Sequence, residues 1–140
     1  MQRSSSSNKG FSLVELIIVI SIMAVLIGIL APQFISYIHK SKVASDWANL
    51  KAYYSEIETD YVDNNGTPNP DVPTVDHSPG SDDKYRRREI KFLDGRTVKL
   101  KAGFYAVIFD NGGYQIAYYC DKCKSDWDKH KKTCELTLGL

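Results

Sequence analysis

The chain lacks any charged residue from Leu16 to Ala31, and apolar residues still predominate as far as Ile38. At ~1.5 Å per residue, residues 11–38 are long enough to cross a hydrocarbon core of roughly 30 Å. A good cleavage site for a signal peptidase is also lacking. The one candidate, Ile29-Leu30-Ala31, is followed by Pro32, and a proline directly after the cut makes a poor substrate. No cysteine follows closely, which gives no support to a lipoprotein anchor. These absences indicate a retained segment that spans a membrane.

Acidic residues are absent from the first ten positions, which contain Arg3 and Lys9. The positive-inside rule therefore predicts a cytoplasmic amino terminus and a single pass, with the remainder outside. Without these two cations, 16 basic residues remain against 17 acidic ones. A nearly neutral chain lacks the basic surface that bulk nucleic-acid binding requires, so nucleic acid is not an expected partner.

Catalytic motifs are also missing. The three histidines are scattered, and neither a nucleophile motif nor a phosphate-binding loop occurs. The chain is therefore not expected to be an enzyme. After the apolar run about 100 residues remain, which fits one small domain with a modest core.

One carboxylate lies inside the apolar run, at Glu15 in the sequence Gly10-Phe11-Ser12-Leu13-Val14-Glu15. An acidic side chain in hydrocarbon costs about 2 to 3 kcal/mol on insertion scales, so it indicates a function. With the basic leader and the apolar run, this motif resembles the amino terminus of the type IV pilin and pseudopilin family, whose precursors carry a class III leader.

The resemblance implies a processing step and an assembly role. A prepilin peptidase would cut between Gly10 and Phe11, and Phe11 would be N-methylated. Glu15 would face the amino group of Phe11 on a neighbouring subunit. Gly28 and Pro32 would bend or interrupt the helix, because glycine lowers helix stability and proline removes a backbone donor.

The stem continues as a second, amphipathic helical half. Its apolar positions alternate in spacings of four and three, which predicts one buried helix face. Acidic and basic positions such as Asp46, Lys51, Glu56 and Glu58 are expected to face water. The apolar stripe consists of Val43, Trp47, Leu50, Tyr54, Ile57 and Tyr61.

The remainder reads as turns and strands. Asp63-Asn64-Asn65-Gly66 ends the helix, and a proline-rich loop follows. Two hairpins are predicted, at 89–93 with 97–101 and at 104–109 with 114–120, and a short strand at 135–138 closes the sheet.

The expected fold is therefore α+β, with a long amino-terminal helix packed on a small antiparallel sheet, as in pilins. The predicted organisation is a leader (1–10), a transmembrane and assembly helix (11–38), an amphipathic helix of the head (39–62), a connecting loop (63–85) and a sheet with a carboxyl-terminal Cys/His loop (86–140).

Every cysteine of the chain lies in a cluster near the carboxyl end: Cys120, Cys123, His130 and Cys134. Three thiolates and one imidazole form a complete set for one structural zinc ion. The alternative is a disulfide, which suits a domain outside the membrane; the family resemblance implies Cys134 with Cys120 or Cys123. Free thiols are the third reading.

The favoured interpretation is a structural subunit of a type IV pilus. Its partners would be identical or related pilins, the prepilin peptidase and the pilus assembly machinery, with the membrane as its location before assembly. A pseudopilin of a secretion or DNA-uptake system is the first alternative. A single-pass metal-binding protein that never polymerises is the second.

Overall fold

The computed structural model describes residues 10–75, 86–121 and 136–139. It divides between Ile38 and His39 into two compact units. One long helix precedes several short strands, which confirms the predicted α+β class. The elements are α1 (Leu13–Asp63), β1 (Thr74–Val75), β2 (Glu89–Lys91), β3 (Thr97–Lys99), β4 (Gly103–Asp110), β5 (Gly113–Cys120) and β6 (Leu136–Leu138).

Helix α1 is 51 residues long and continues through Pro32 without a break in its helical structure. Pro32 has no N–H to donate to the carbonyl of Gly28, so one backbone bond is missing at this point. The helix ends where the sequence predicted. Asn65 and Gly66 adopt positive φ angles of 52° and 75°, and the Gly66 N–H donates to the Tyr61 carbonyl at 2.9 Å, a common way to end a helix.

The strands form two sheets. One has the order β1-β4-β5-β6, and the other pairs β2 with β3. Both predicted hairpins and the last strand are present, and Asn111 and Gly112 supply the two positive φ angles of the β4–β5 turn. The expectation of a single antiparallel sheet was wrong in two respects. The hairpin β2–β3 is a separate sheet, and β1 pairs with β4 in parallel.

The missed strand lies inside the predicted connecting loop. Only Thr74 and Val75 pair with β4, at Val107 and Ile108. A two-residue strand is too short to show an alternation of apolar and polar residues. Parallel strands are not joined by a tight turn, so no turn residues mark the pairing in the sequence. The sequence pattern therefore could not reveal it.

The second half of α1 packs on the sheets. Leu50 and Ile57 are fully buried, and Tyr53 contacts the rings of Phe92 and Tyr105 edge to face. Burying such side chains stabilises the fold by about 1.5 to 3 kcal/mol each. Val43, Leu50 and Ile57 of the predicted stripe are confirmed as buried, whereas Trp47, Tyr54 and Tyr61 lie at its partly buried border.

One expectation about this face was wrong. Asp46 does not face water but is completely buried. It lies in the same three-and-four spacing as the buried positions, because residues 43, 46, 50, 53 and 57 form the actual inner face. Glu56 and Glu58 are half-buried, and only Lys51 is exposed as expected.

Candidate functional site

The start of α1 is fixed by a reciprocal pair of hydrogen bonds. The Ser12 hydroxyl accepts the backbone N–H of Glu15 at 3.2 Å, and the Glu15 carboxylate accepts the backbone N–H of Ser12 at 3.1 Å. This capping box satisfies two backbone donors that a helix start leaves unpaired. It also holds the Glu15 carboxylate over the amino-terminal end of the helix, where the helix dipole favours a negative charge.

Gly10 and Phe11 precede the helix in non-helical backbone. Phe11 is 90% exposed, and a Cβ added to Gly10 would meet no atom within 4 Å. Within the described residues, packing therefore gives no reason for glycine at this position. Both residues that flank the Gly10–Phe11 peptide bond are thus exposed.

The first half of α1 presents apolar side chains on its entire circumference, and all of them are exposed. It is long and apolar enough to cross a membrane, and none of its apolar window is buried in the protein. Within this half the hydroxyl of Ser21 is satisfied, since it donates to the carbonyl of Ile17 at 2.7 Å. A surface of this kind is typical of segments that contact lipid or other helices.

A comparison with known protein families matches this same segment. Residues 5–31 fit the family model described as the prokaryotic N-terminal methylation motif. The type IV major pilin protein PilA of Myxococcus xanthus is 40% identical over 55 residues, which are 39% of this chain and 25% of that relative. The chain is therefore similar to type IV pilins over part of its length. No solved structure matched it significantly.

The match to the relative is partial, since this pilin-like chain covers only about a quarter of its length. The processing and assembly residues predicted from the sequence are Gly10, Phe11, Glu15, Gly28 and Pro32. The structure brings Ser12 and Glu15 into contact, and it places Gly28 on an open helix surface with nothing within 4 Å of an added Cβ. The roles of these residues stay predictions.

Only one residue of the predicted metal or disulfide cluster lies among the residues that the structure describes. Cys120 is the last residue of β5 and is buried, whereas Cys123, His130 and Cys134 lie outside the described residues. Within the described part of the chain, no group of three or more potential metal ligands occurs.

The head contains a polar cluster that the sequence analysis missed. Asp46 accepts the backbone N–H groups of Lys101 and Ala102, each at 2.8 Å, and the Tyr118 hydroxyl at 2.9 Å. Burial and the hydrogen bond to Asp46 both raise the pKa of Tyr118. One carboxylate thus joins the helix, the turn before β4 and the middle of the sheet.

Other helix carboxylates act in the same way. Glu56 accepts the Leu93 N–H at 3.1 Å, and Glu58 accepts the Tyr114 N–H at 3.1 Å. The spacing of Asp46 with Val43 and Leu50 was the available signal, because it shows that the residue lies on the inner face.

Proposed function

We propose that this chain is a structural subunit of a type IV pilus, processed after Gly10 and polymerised through α1. One arrangement carries the proposal. The exposed Gly10 and Phe11 directly precede the capping box of Ser12 and Glu15, and an exposed apolar helix follows. The methylation motif that matches residues 5–31 supports it, and so does the similarity to a major pilin.

The subunit would first reside in the membrane. Arg3 and Lys9 favour a cytoplasmic amino terminus, where the prepilin peptidase would cut and Phe11 would be methylated. The pilus assembly machinery would then move α1 from lipid into a bundle of identical or related helices, outside the cell. Lipid and helix bundle are both apolar, so this exchange loses little hydrophobic energy and axial register must come from a polar contact.

Glu15 would supply that contact by pairing with the amine of Phe11 on a neighbouring subunit. Such a pair need not stabilise the filament strongly. Its effect is on register, because a misaligned helix leaves one charge unpaired at a cost of about 3 to 5 kcal/mol. The capping box prepares Glu15 for this role, since it holds the carboxylate at the end of the helix where the new amine is formed.

The cysteines and histidine would close the carboxyl-terminal segment of the head. Cys120, Cys123, His130 and Cys134 would bind one structural zinc ion, or Cys134 would form a disulfide with Cys120 or Cys123. The buried thiol of Cys120 at the end of β5 suits either role. A closed set of four ligands would stabilise a loop and leave no open position for catalysis.

Amino-terminal sequencing of the protein from its own host tests the processing step. We expect the sequence to begin at an N-methylated Phe11. A bulky substitution, Gly10→Val, is expected to block the cut, while Gly28→Ala leaves it intact. An intact Met1 on the membrane-bound wild-type protein would contradict the proposal and favour a non-polymerising membrane protein.

Microscopy of cells expressing a tagged copy separates pilin from pseudopilin. Long surface filaments containing the tag are expected. A processed subunit that never appears in such filaments would instead indicate a secretion or DNA-uptake structure.

A further inference from the structure

The carboxyl end of α1 has an unfavourable charge pattern. Its final turns contain Glu58, Asp60 and Asp63, and the last turn contains no basic residue. Carbonyl groups give this end of a helix a partial negative charge, so acidic side chains here are repelled. Asp60 is compensated by the Asn69 amide at 2.9 Å, whereas Asp63 is exposed and makes no hydrogen bond or ion pair within the described residues.

A shallow groove of about 510 Å³ lies on the same part of the helix. Tyr54 and Val62 form its apolar part, and Val62 is 70% exposed. Glu58 and Asp63 provide carboxylates beside that apolar surface. This combination fits a lysine side chain, whose aliphatic stem packs on apolar atoms while its ammonium group reaches a carboxylate. We call it the helix-end groove.

The hairpin β2–β3 has the opposite charge. Ile90 faces the core, so Arg87, Glu89 and Lys91 point outward, and Lys99 lies opposite Glu89 in the ladder. This face therefore has three cations and one acid. A further acid, Asp71, lies close to it, in a cleft that is lined by Arg87 and Lys91 as well. We call the set Arg87, Lys91 and Lys99 the hairpin face.

Most other arginines of the head are already engaged. Arg88 pairs with Asp121, and Arg96 pairs with Asp94 at 2.5 Å. In contrast, Lys91 and Lys99 are exposed and form no ion pair among the described residues. They are therefore available to a partner with carboxylates.

We propose that the hairpin face of one subunit docks into the helix-end groove of a second copy of this chain. This inference rests on the proposed function, because it concerns contacts between subunits of a filament. Charge complementarity favours this occupant, and the groove fits the lysine stems. The two surfaces differ, so the contact is heterologous, and a heterologous contact that does not close propagates into an open helical polymer.

Zero-length carbodiimide cross-linking of sheared filaments tests the contact directly. We expect a band at twice the subunit mass that contains an amide bond from Lys91 or Lys99 to Glu58 or Asp63. The matched control is the double variant Lys91→Arg/Lys99→Arg, which keeps the charge but cannot form that bond. It is expected to assemble normally and to lose this cross-link. Wild-type filaments with no such intermolecular bond would overturn the proposal.

Charge reversal tests how much the contact between the hairpin face and the helix-end groove contributes to assembly. Lys91→Glu/Lys99→Glu is expected to lower the yield of sheared filaments about fivefold, with the processed subunit still present in the membrane. Adding Asp63→Lys should restore part of the yield. Lys42→Glu/Lys51→Glu has the same charge change on exposed helix positions and is expected to leave the yield unchanged.

The outcomes separate the two proposals. If the wild type forms no filaments, the proposed function fails and this inference fails with it. If the wild type forms filaments and the reversed hairpin face has no effect on their yield, only this inference fails.

Discussion

Tyr118 donates a hydrogen bond of 2.9 Å to Asp46, although the two residues are 72 positions apart in the chain. The same carboxylate accepts two backbone N–H groups from the turn before β4. Removal of a buried carboxylate with three donors is costly. Each donor gave up its hydrogen bonds to water on folding and would then have no acceptor in the protein. This contact therefore holds the head together at the point where helix, turn and sheet meet.

We predict that Asp46→Ala lowers the free energy of unfolding of the head by about 2 to 4 kcal/mol, because it leaves buried donors unpaired. Tyr118→Phe removes one donor only and should cost about 1 kcal/mol. The control Lys51→Ala, at an exposed position of the same helix, should change the value by less than about 0.5 kcal/mol. Denaturant unfolding of the full chain in detergent, followed by near-ultraviolet circular dichroism, measures all three. Equal stabilities of Asp46→Ala and Lys51→Ala would contradict the assignment.

The head should lose stability in alkali. Burial, with a smaller contribution from Glu56, raises the pKa of Tyr53 from 10.0 to about 12. Below pH 10 both folded and unfolded states keep this proton; between pH 10 and about 12 the unfolded state releases it first. The stabilisation is therefore complete below pH 10 and is lost as the pH rises towards 12. Tyr53→Phe should make the loss of stability in this window less steep without abolishing it, because burial also raises the pKa of Tyr105 and of Tyr118. Ultraviolet titration of phenolate in the wild type and in Tyr53→Phe measures the difference.

Ser12→Ala should loosen the first turn of α1. An alanine cannot accept the Glu15 N–H, and loss of such a cap costs about 1 kcal/mol of helix stability. Hydrogen exchange at Glu15 should become about fivefold faster. Ser12→Thr should restore the wild-type rate. Ser21→Ala is the comparison, since its hydroxyl bonds a carbonyl within the helix and its loss should not affect the first turn.

Glu15→Ala should leave cleavage after Gly10 largely intact and abolish filaments. Glu15→Gln separates charge from capping, because its amide oxygen can still accept the Ser12 N–H. We expect the glutamine variant to keep slow exchange at the first turn and still to lack filaments. Normal filaments from Glu15→Gln in the sheared surface fraction would show that the carboxylate charge does not set the register.

The state of the cysteines can be read from the mass of the native protein. A structural zinc adds one metal ion that a chelator removes, whereas a disulfide lowers the mass by two hydrogens and resists the chelator. His130→Ala should abolish zinc binding but leave a disulfide unchanged. An unaltered mass under both conditions would indicate free thiols and exclude both closed forms.

The sequence predicted those parts of the molecule that depend on local signals. Helix α1 follows from its apolar pattern and ends at Asp63, just before Asn65-Gly66, and the β4–β5 hairpin follows from Asn111-Gly112. The parts it did not predict depend on distant partners. Asp46 was read as a solvent-facing acid because its donors, Lys101, Ala102 and Tyr118, lie more than fifty residues away. Ser12 belongs to the amino-terminal motif of the sequence, whereas its hydrogen bonds with Glu15 are a finding of the structure.

The helix carboxylates of the head have a consequence for sequence variation. Asp46, Glu56 and Glu58 hold backbone N–H groups of the turns and strands. A backbone N–H is the same for every residue except proline, so the exposed side chain of Lys101 can be exchanged for others without releasing its anchor to Asp46. Variation at this exposed position therefore preserves the attachment of the turn before β4 to the helix.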